Sequence, residues 1–315
     1  MLLVVLRVKV VGKVIQISVL TRIEGNVNAD EVIGTRITIK KMYSPIGEVL
    51  PFVSARAIKY SIRQALKERG YEIDQFQVEK IRKERRLKDS GDPERFIDND
   101  LFGYMVPVRE ELANRRQAPV ALSYLKALRD TPIKTDFAGR FPREETKGES
   151  PLPYEIEVAD FIGRLNCIIY DYVGDFTKDI IIEKESKIHG KVLPLDERRK
   201  RLRDFLEIFL TPSYTLPRRT NSLNIPEYHV ALVTLSRLGV VPVFQYLDYD
   251  FERKTLNEEK LNLMVSRADI SRKIADKNLE FLIVDYHGIV NELPSNITKV
   301  SVDEAVEKIL KFYFE

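Results

Sequence analysis

The clearest pattern of hydrophobic and polar positions lies near the start of the chain. Residues 14–23 alternate, with Ile15, Ile17 and Val19 on one side and Gln16 and Ser18 on the other, which predicts a half-buried strand. Residues 54–69 instead carry apolar side chains at helical spacing, at positions 58, 62, 65 and 66. Ser54 is suited to cap this helix and Gly70 to end it, so a strand, a long loop over residues 24–51 and a helix are predicted in that order.

The same periodicities continue along the chain. Strands are predicted over residues 120–128, 154–173, 180–182, 230–236, 241–247 and 281–286, and helices over 196–210 and 302–312. Thr255 with Glu258, and Ser301 with Glu304, have the spacing of capping boxes. Without its insertions, the order is strand, helix, strand, strand, helix, strand. This order predicts an α+β fold with a ferredoxin-like, RRM-like core.

The domain organisation follows from this core. We predict a single domain over residues 1–315, with an insertion at 71–117, a protruding hairpin at 131–153 and a C-terminal extension at 250–315. The one cysteine, Cys167, excludes an internal disulfide and a multi-thiolate metal site, and it fits the reducing cytoplasm. Met1–Val11 is apolar but too short to span a bilayer, so no membrane association is expected. The high content of charged residues is typical of thermophilic proteins.

Charge is distributed unevenly along the chain. The formal net charge is only +3, yet residues 1–70 contain twelve Lys or Arg against five Asp or Glu. Positive charge concentrated in one segment indicates a polyanionic partner, although a solvated helix face is the alternative explanation.

Motifs for catalysis are missing from the sequence. It contains no phosphate-binding GxxxxGK[ST] loop, no GxGxxG after a strand and no GxSxG elbow, and its three histidines are widely spaced. Two clusters of acidic residues remain as alternatives for a metal site. One is Asp98 and Asp100 with Glu94, and the other is Asp30 with Glu31 inside the basic segment. We expect a protein that is not an enzyme and that needs no cofactor or metal.

Binding chemistry has stronger support. Phosphate contacts need Lys or Arg, small polar side chains and free backbone N–H groups. The basic segment supplies such residues within a short stretch, and a second loop after the helix at 196–210 supplies more. The candidate RNA-binding residues are Arg22, Asn26, Asn28, Arg36, Lys40, Lys41, Ser54, Arg56, Lys59, Arg63, Arg140 near the hairpin tip, and Arg218, Arg219 and Asn221. Because the RNP motifs of ordinary RRM proteins are missing, we expect binding through the RNA backbone, with no bases stacked on the sheet.

Several segments together carry a family resemblance. KVIQISVLTRIEGNVNADEVIGTRITIKKMY, PFVSARAIKYSIRQAL, DNDLFGYM, TDFAGRFP and PYEIEV resemble the DevR-type CRISPR-associated autoregulator family of the RAMP superfamily, over roughly residues 13–250. The resemblance implies the repeated backbone subunit of a type I Cascade-like complex, with fingers at 71–117 and a thumb at 131–153. It implies as partners CRISPR RNA, further copies of the chain, the large subunit and the repeat-handle-binding RAMP subunit. It also implies contact with the target DNA strand through the guide and, indirectly, with the helicase-nuclease.

One position departs from the family pattern. Many RAMP backbone subunits place a glycine beside the serine that opens the first helix, whereas here Val53 and Ala55 flank Ser54. Close approach of RNA there would then depend on Arg56. Two alternatives stay open, namely an RNA-processing or RNA-cleaving RAMP endoribonuclease and a DNA-binding regulator.

Overall fold

A computed structural model describes most of the chain. The described residues are 12–27, 29–75, 77–81, 84–109, 112–140, 152–179, 190–217 and 224–315. The apolar N-terminal segment and the strand predicted at 180–182 lie outside these ranges.

The described part contains strands and helices in mixed order. The strands are β1 (Val14–Gly25), β2 (Ala29–Ile33), β3 (Arg36–Ile39), β4 (Lys41–Tyr43), β5 (Val49–Val53), β6 (Gln77–Ile81), β7 (Glu84–Lys88), β8 (Tyr104–Arg109), β9 (Leu112–Arg116), β10 (Val120–Leu122), β11 (Leu125–Ala127), β12 (Lys134–Arg140), β13 (Leu152–Tyr170), β14 (Glu227–Ser236), β15 (Tyr249–Asp250), β16 (Thr255–Leu256), β17 (Leu279–Asp285) and β18 (Ile297–Lys299). The helices are α1 (Ala55–Glu68), α2 (Ile97–Phe102), α3 (Leu195–Leu210), α4 (Glu258–Ser266), α5 (Ala268–Ala275) and α6 (Val302–Phe314), with a 3-10 turn at Phe244–Tyr246.

The central sheet is built around β1. It pairs antiparallel with β13 along its whole length and with β14 on its other side, and the sheet continues to β17 and β18 beyond β14. Beyond β13 lie β10 and β11, then β5 and β4. The predicted α+β class is confirmed. The finer ferredoxin-like arrangement and the division into fingers, thumb and extension stay predictions.

One face of the sheet is covered by α1, α3 and α6. The α1 side chains Ile58, Ile62 and Leu66 are fully buried there, as the helical spacing predicts. Ser54 caps α1, its Oγ accepting a hydrogen bond from the Ala57 N–H at 3.3 Å. The capping box of Ser301 and Glu304 at the start of α6 is confirmed as well.

The opposite face of β1 is also buried, so the prediction of a half-buried strand was wrong. Residues 241–297 form a second apolar cluster, which packs on Leu20 of β1 and Val230 of β14. Gln16 is buried in this interface, where its side-chain amide donates to the Val241 carbonyl at 2.9 Å and accepts from the Val241 N–H at 2.7 Å.

These contacts explain why residues 241–247 do not form the predicted strand. The Gln16 side chain is hydrogen-bonded to both the N–H and the carbonyl of Val241, and Pro242 has no N–H to donate to a neighbouring strand. The helix predicted from Thr255 is capped by Asn257 instead, because Thr255 pairs in β16. The strand predicted over residues 120–128 is divided into β10 and β11.

The segment predicted as a long loop, residues 24–51, is mostly strand. β2 and β3 form a hairpin, and β3 lies parallel to the first half of β13. β4 pairs with β5, so β3 and β4 have different partners. β12 pairs antiparallel with Leu152–Val158, the first part of β13, and the residues between them lie outside the described ranges. A separate protruding hairpin at 131–153 stays a prediction.

A buried ionic network connects the inserted residues to the core. The carboxylate of Asp100 on α2 accepts from Arg116 at 2.7 Å and from Arg201 of α3 at 3.0 Å, and all three side chains are nearly or fully buried. Arg116 also donates to Asp179 at 2.6 Å and to the carbonyls of Asp100, Tyr172 and Asp175. All five of its N–H donors are therefore used. The DNDLF motif is thus a structural junction inside the protein.

Removing the charge of Asp100 should be strongly destabilising. Asp100→Asn leaves the positive charges of Arg116 and Arg201 undercompensated in the interior, which costs about 3–5 kcal/mol for a broken buried pair. Asp171→Asn is the matched control, because its partner Lys178 at 3.0 Å is largely exposed, and it should cost about 1 kcal/mol or less. Urea unfolding followed by circular dichroism measures both. Equal losses in the two variants would contradict a structural role for the network.

Candidate functional site

Arg22, the first predicted RNA contact, is held by carboxylates. Its guanidinium lies 2.8 Å from Asp160, 3.0 Å from Glu24 and 3.4 Å from Glu227. The hydrogen bond with Asp160 is the main cause that raises the pKa of Arg22 above its ordinary value. A phosphate group at this position would have to compete with three carboxylates.

The cations of the β2–β3 hairpin and of β4 are paired in the same way. Arg36 lies 2.6 Å from Glu155, and Lys41 lies 3.0 Å from Glu157, so both connect to the first half of β13. Lys40 pairs with Asp30 at 2.9 Å. Asn26 is fully buried, and its amide donates to the Glu157 carbonyl at 2.7 Å. Three of these residues thus contact the first half of β13, whereas Lys40 pairs with β2. The role of all four in RNA binding stays a prediction.

The first half of α1 differs from the hairpin. Arg56 is exposed in its first turn, a turn without acidic residues, and no carboxylate of the described residues pairs with it. Lys59 lies over the ring of Phe102 at 5.2 Å, also without an acidic partner in the described part of the chain. Burial and the nearby charge of Arg63 lower the pKa of Lys59. Arg63 itself is committed to Asp98 at 2.8 Å.

Ser54 and Arg56 therefore lie in the cap and first turn of α1, where the helix dipole is positive, and Lys59 follows in the second turn. Backbone N–H groups of a first helical turn have no intrahelical partner and attract anions, and the charges of Arg56 and Lys59 add to this attraction. The cations of α1 thus differ in their pairing. Arg56 and Lys59 have no acidic partner among the described residues, whereas Arg63 is neutralised by Asp98. This surface, Ser54 with Arg56 and Lys59, is named the α1 anion site below.

The second basic loop, which follows α3, begins and ends close to Asn26 of the first basic segment. Leu216 donates its N–H to the Asn224 carbonyl at 2.8 Å, so the ends of the loop meet, and Asn224 Nδ2 lies 3.4 Å from the Asn26 carbonyl. Arg218, Arg219, Asn221 and, in the first segment, Asn28 lie outside the described residues. Arg140 is exposed at the end of β12.

A further group of residues was missed from the sequence. Phe52 of β5, Lys126 of β11 and Arg164 of β13 are direct partners in neighbouring strands, on the sheet face opposite α1. They adjoin a cleft of about 480 Å³, whose lining includes Lys126, Arg164, Tyr124 and Asn166. Their sequence signal is weak, since Lys126 is a single charge in a three-residue strand between the buried Leu125 and Ala127.

The carboxylates considered for metal binding are engaged elsewhere. Asp98 and Asp100 pair with arginines, and Asp30 pairs with Lys40. Within the described ranges, no group of three or more His, Cys, Asp or Glu side chains is arranged to hold a metal ion. His229 and His287, distant in sequence, come together with ring centroids 4.8 Å apart. None of the helices in the described part is long and apolar enough to cross a membrane.

Two solved structures that resemble this chain come from CRISPR surveillance complexes. A chain of a "CRISPR RNA-guided surveillance complex" superimposes with a TM-score of 0.59 at 12% identity, covering 94% of this chain and 99% of that one. A chain of a "CRISPR RNA-guided surveillance complex, pre-nicking" gives a TM-score of 0.57 at 11% identity, covering 96% and 100%. At such low identity these likenesses concern the fold alone. No curated protein sequence matches this chain.

The sequence itself matches a family model. The model is described as CRISPR-associated negative auto-regulator DevR/Csa2, and it matches residues 12–255 of the 315. This span includes β1, the α1 anion site, the buried DNDLF junction and the hairpin of β12 and β13. The chain therefore belongs to the DevR/Csa2 family of CRISPR-associated proteins.

Proposed function

We propose that this protein binds the backbone of CRISPR RNA and polymerises along it as the scaffold of a type I Cascade-like surveillance complex. The family membership and the fold shared with chains of RNA-guided surveillance complexes support this proposal. The guide would be displayed for pairing with a target DNA strand. The remaining partners are the large subunit and the repeat-handle-binding RAMP subunit, and indirectly the helicase-nuclease.

The single observation that carries the proposal is the α1 anion site. Six of the described cations in residues 1–70 have carboxylate partners, whereas Arg56 and Lys59, in the first half of α1, have none among the described residues. A cation without an acidic partner can take a phosphate without first losing an ion pair. Contacts of this kind follow the sugar-phosphate backbone and carry no sequence information, which suits a subunit that must bind any guide.

Polymerisation along RNA needs a contact between successive copies. We assign this contact to the hairpin of β12 and β13, because β12 is exposed along most of its length and the hairpin carries two large exposed apolar side chains. Phe137 is 72% and Leu152 71% exposed. A contact with a neighbouring copy would remove these apolar side chains from water.

The proposal includes that the subunit does not cut RNA itself. Asp30, the carboxylate of the basic segment that could assist a metal-dependent cut, is paired with Lys40 at 2.9 Å. We expect end-labelled RNA to stay intact when it is incubated with the purified protein and Mg²⁺. Cleavage that is lost in Asp30→Ala would overturn this part and favour a ribonuclease.

Removing the α1 anion site should weaken RNA binding irrespective of sequence. We expect Arg56→Ala with Lys59→Ala to lower the affinity for single-stranded RNA about tenfold or more, as charge-assisted contacts are lost. The slope of log K against log salt should flatten by about 0.7 for each lost phosphate contact. Fluorescence anisotropy with two unrelated RNA sequences measures both quantities.

The matched control for this experiment is Arg36→Ala. Arg36 is exposed and lies in the same basic segment, but its guanidinium is paired with Glu155 at 2.6 Å, so its loss should change RNA affinity less. A larger effect of Arg36→Ala than of the α1 variant would refute the assignment of the site. A loss restricted to one of the two RNA sequences would argue against backbone recognition.

Assembly into large particles should depend on both RNA and the hairpin of β12 and β13. Size-exclusion chromatography should give large RNA-containing particles that become small after RNase treatment. Phe137→Glu should abolish the large particles and keep the binding of a short RNA by single copies. Leu263→Glu is the control, since Leu263 on α4 is similarly exposed at 61% and should leave assembly unchanged. Full assembly of Phe137→Glu would show that the hairpin is not the contact.

A further inference from the structure

One cross-strand row on the sheet is chemically unusual. Phe52, Lys126 and Arg164 stand directly opposite each other on β5, β11 and β13, and the row continues through Leu20 of β1 to Val230 of β14. Direct cross-strand neighbours have Cβ atoms about 4.5–5.5 Å apart. An aromatic ring and two cations are therefore arranged side by side on one sheet face.

Among the described residues, the second apolar cluster packs on one end of this row, where Leu20 and Val230 are fully buried. Next to them, Arg164 donates a hydrogen bond to the Leu247 carbonyl at 2.9 Å. Beyond it the row adjoins the cleft, where Lys126 is exposed.

The two cations of the row, Lys126 and Arg164, are direct cross-strand partners of like charge. Like charges directly opposite on neighbouring strands are unfavourable, and no carboxylate in the described part forms an ion pair with Lys126 or Arg164. Glu48 also lines the cleft, and Asp248 acts on Arg164 from a distance while it is paired with Lys260. Burial lowers the pKa of Arg164. An anion between the two side chains would remove this cost.

The other side of the cleft is suited to a planar group. The ring of Tyr124 is 53% exposed and stands edge-on to Phe52, with ring centroids 5.2 Å apart. Asn166 and Ser123 supply polar groups nearby. Cations for a phosphate and an aromatic ring for a base, within one open cleft, are the combination that single-stranded nucleic acid sites use.

We propose that this cleft is a second nucleic-acid contact, in which Lys126 and Arg164 bind one phosphodiester of single-stranded RNA and Tyr124 stacks on an adjoining base. The inference rests on the proposed RNA-binding function and adds a subsite to it. Phe52 lies near the end of β5, two residues before Ser54. The cleft and the α1 anion site are therefore close to the same end of this strand in sequence. At this subsite the proposal departs from the prediction that the protein binds RNA through the RNA backbone alone, because Tyr124 adds a stacking contact with a base.

The test uses Lys126→Ala with Tyr124→Ala in the full chain, and Lys308→Ala as control. Both substituted side chains are exposed, so the fold should be retained, which circular dichroism checks. Lys308 on α6 lies on the helical side, 3.5 Å from Glu280. With a fluorescein-labelled oligouridine as probe, loss of one stacked base alone should weaken binding about fivefold or more. The salt slope should flatten by about 0.7 through Lys126.

Photocrosslinking separates this subsite from the α1 anion site. RNA containing 4-thiouridine should crosslink to peptides that contain Tyr124, and the crosslink should persist, at higher RNA concentration, in Arg56→Ala with Lys59→Ala. Unchanged RNA affinity of the Tyr124 and Lys126 variant, beside a loss in the α1 variant, would overturn the second contact alone. A wild-type protein that binds no RNA would overturn both proposals.

Two other occupants of the cleft would give different results in these experiments. If inorganic phosphate competes with the RNA crosslink at Tyr124 as well as uridine monophosphate does, the cleft recognises an anion without a base, and the stacking proposal fails. If the variant keeps its RNA affinity but no longer forms large particles, the cleft binds a side chain of another copy, and the proposal fails as well.

Discussion

The carboxylate of Asp100, enclosed between Arg116 and Arg201, is the interaction on which the arrangement of the helical side depends. Charges removed from water must be compensated within the protein, and here each charge comes from a different segment: α2, the end of β9 and α3. Gly174 at the turn after β13 also donates its N–H to Asp100. Four segments are therefore fixed by one carboxylate. The neighbouring Asp98 holds Arg63, so the position of α1 depends on the same short helix.

Ion pairing also decides which part of the basic segment is available to an anion. A count of positive residues treats Arg36, Lys40, Arg56 and Lys59 alike, but the fold assigns the first two to carboxylates and leaves the last two near a helix N-terminus. The total charge of the segment thus says less about binding than the pairing of each charge. Surface ion pairs contribute little to stability, yet they determine where a polyanion meets the least competition.

The sequence predicts the elements whose periodicity is local, such as β1, α1, α3 and α6. It fails where a distant segment decides the outcome. Gln16 looks solvent-facing until residues 241–297 cover it, and the partner of Arg36 lies 119 residues away. The row of Phe52, Lys126 and Arg164 is assembled from three strands, so no stretch of sequence contains it. Of the candidate site, the first turn of α1 was predictable because its cap and charges are neighbours in the chain.

The length of β13 has a mechanical consequence. Its 19 residues pair with β12 and β3 in the first half and with β1, β10 and β11 in the second, without interruption. At about 3.3 Å per residue, such a strand spans roughly 60 Å and joins the outer hairpin to the centre of the protein. Because β13 is paired along its length, a force on the hairpin reaches β1 through backbone hydrogen bonds of a single strand.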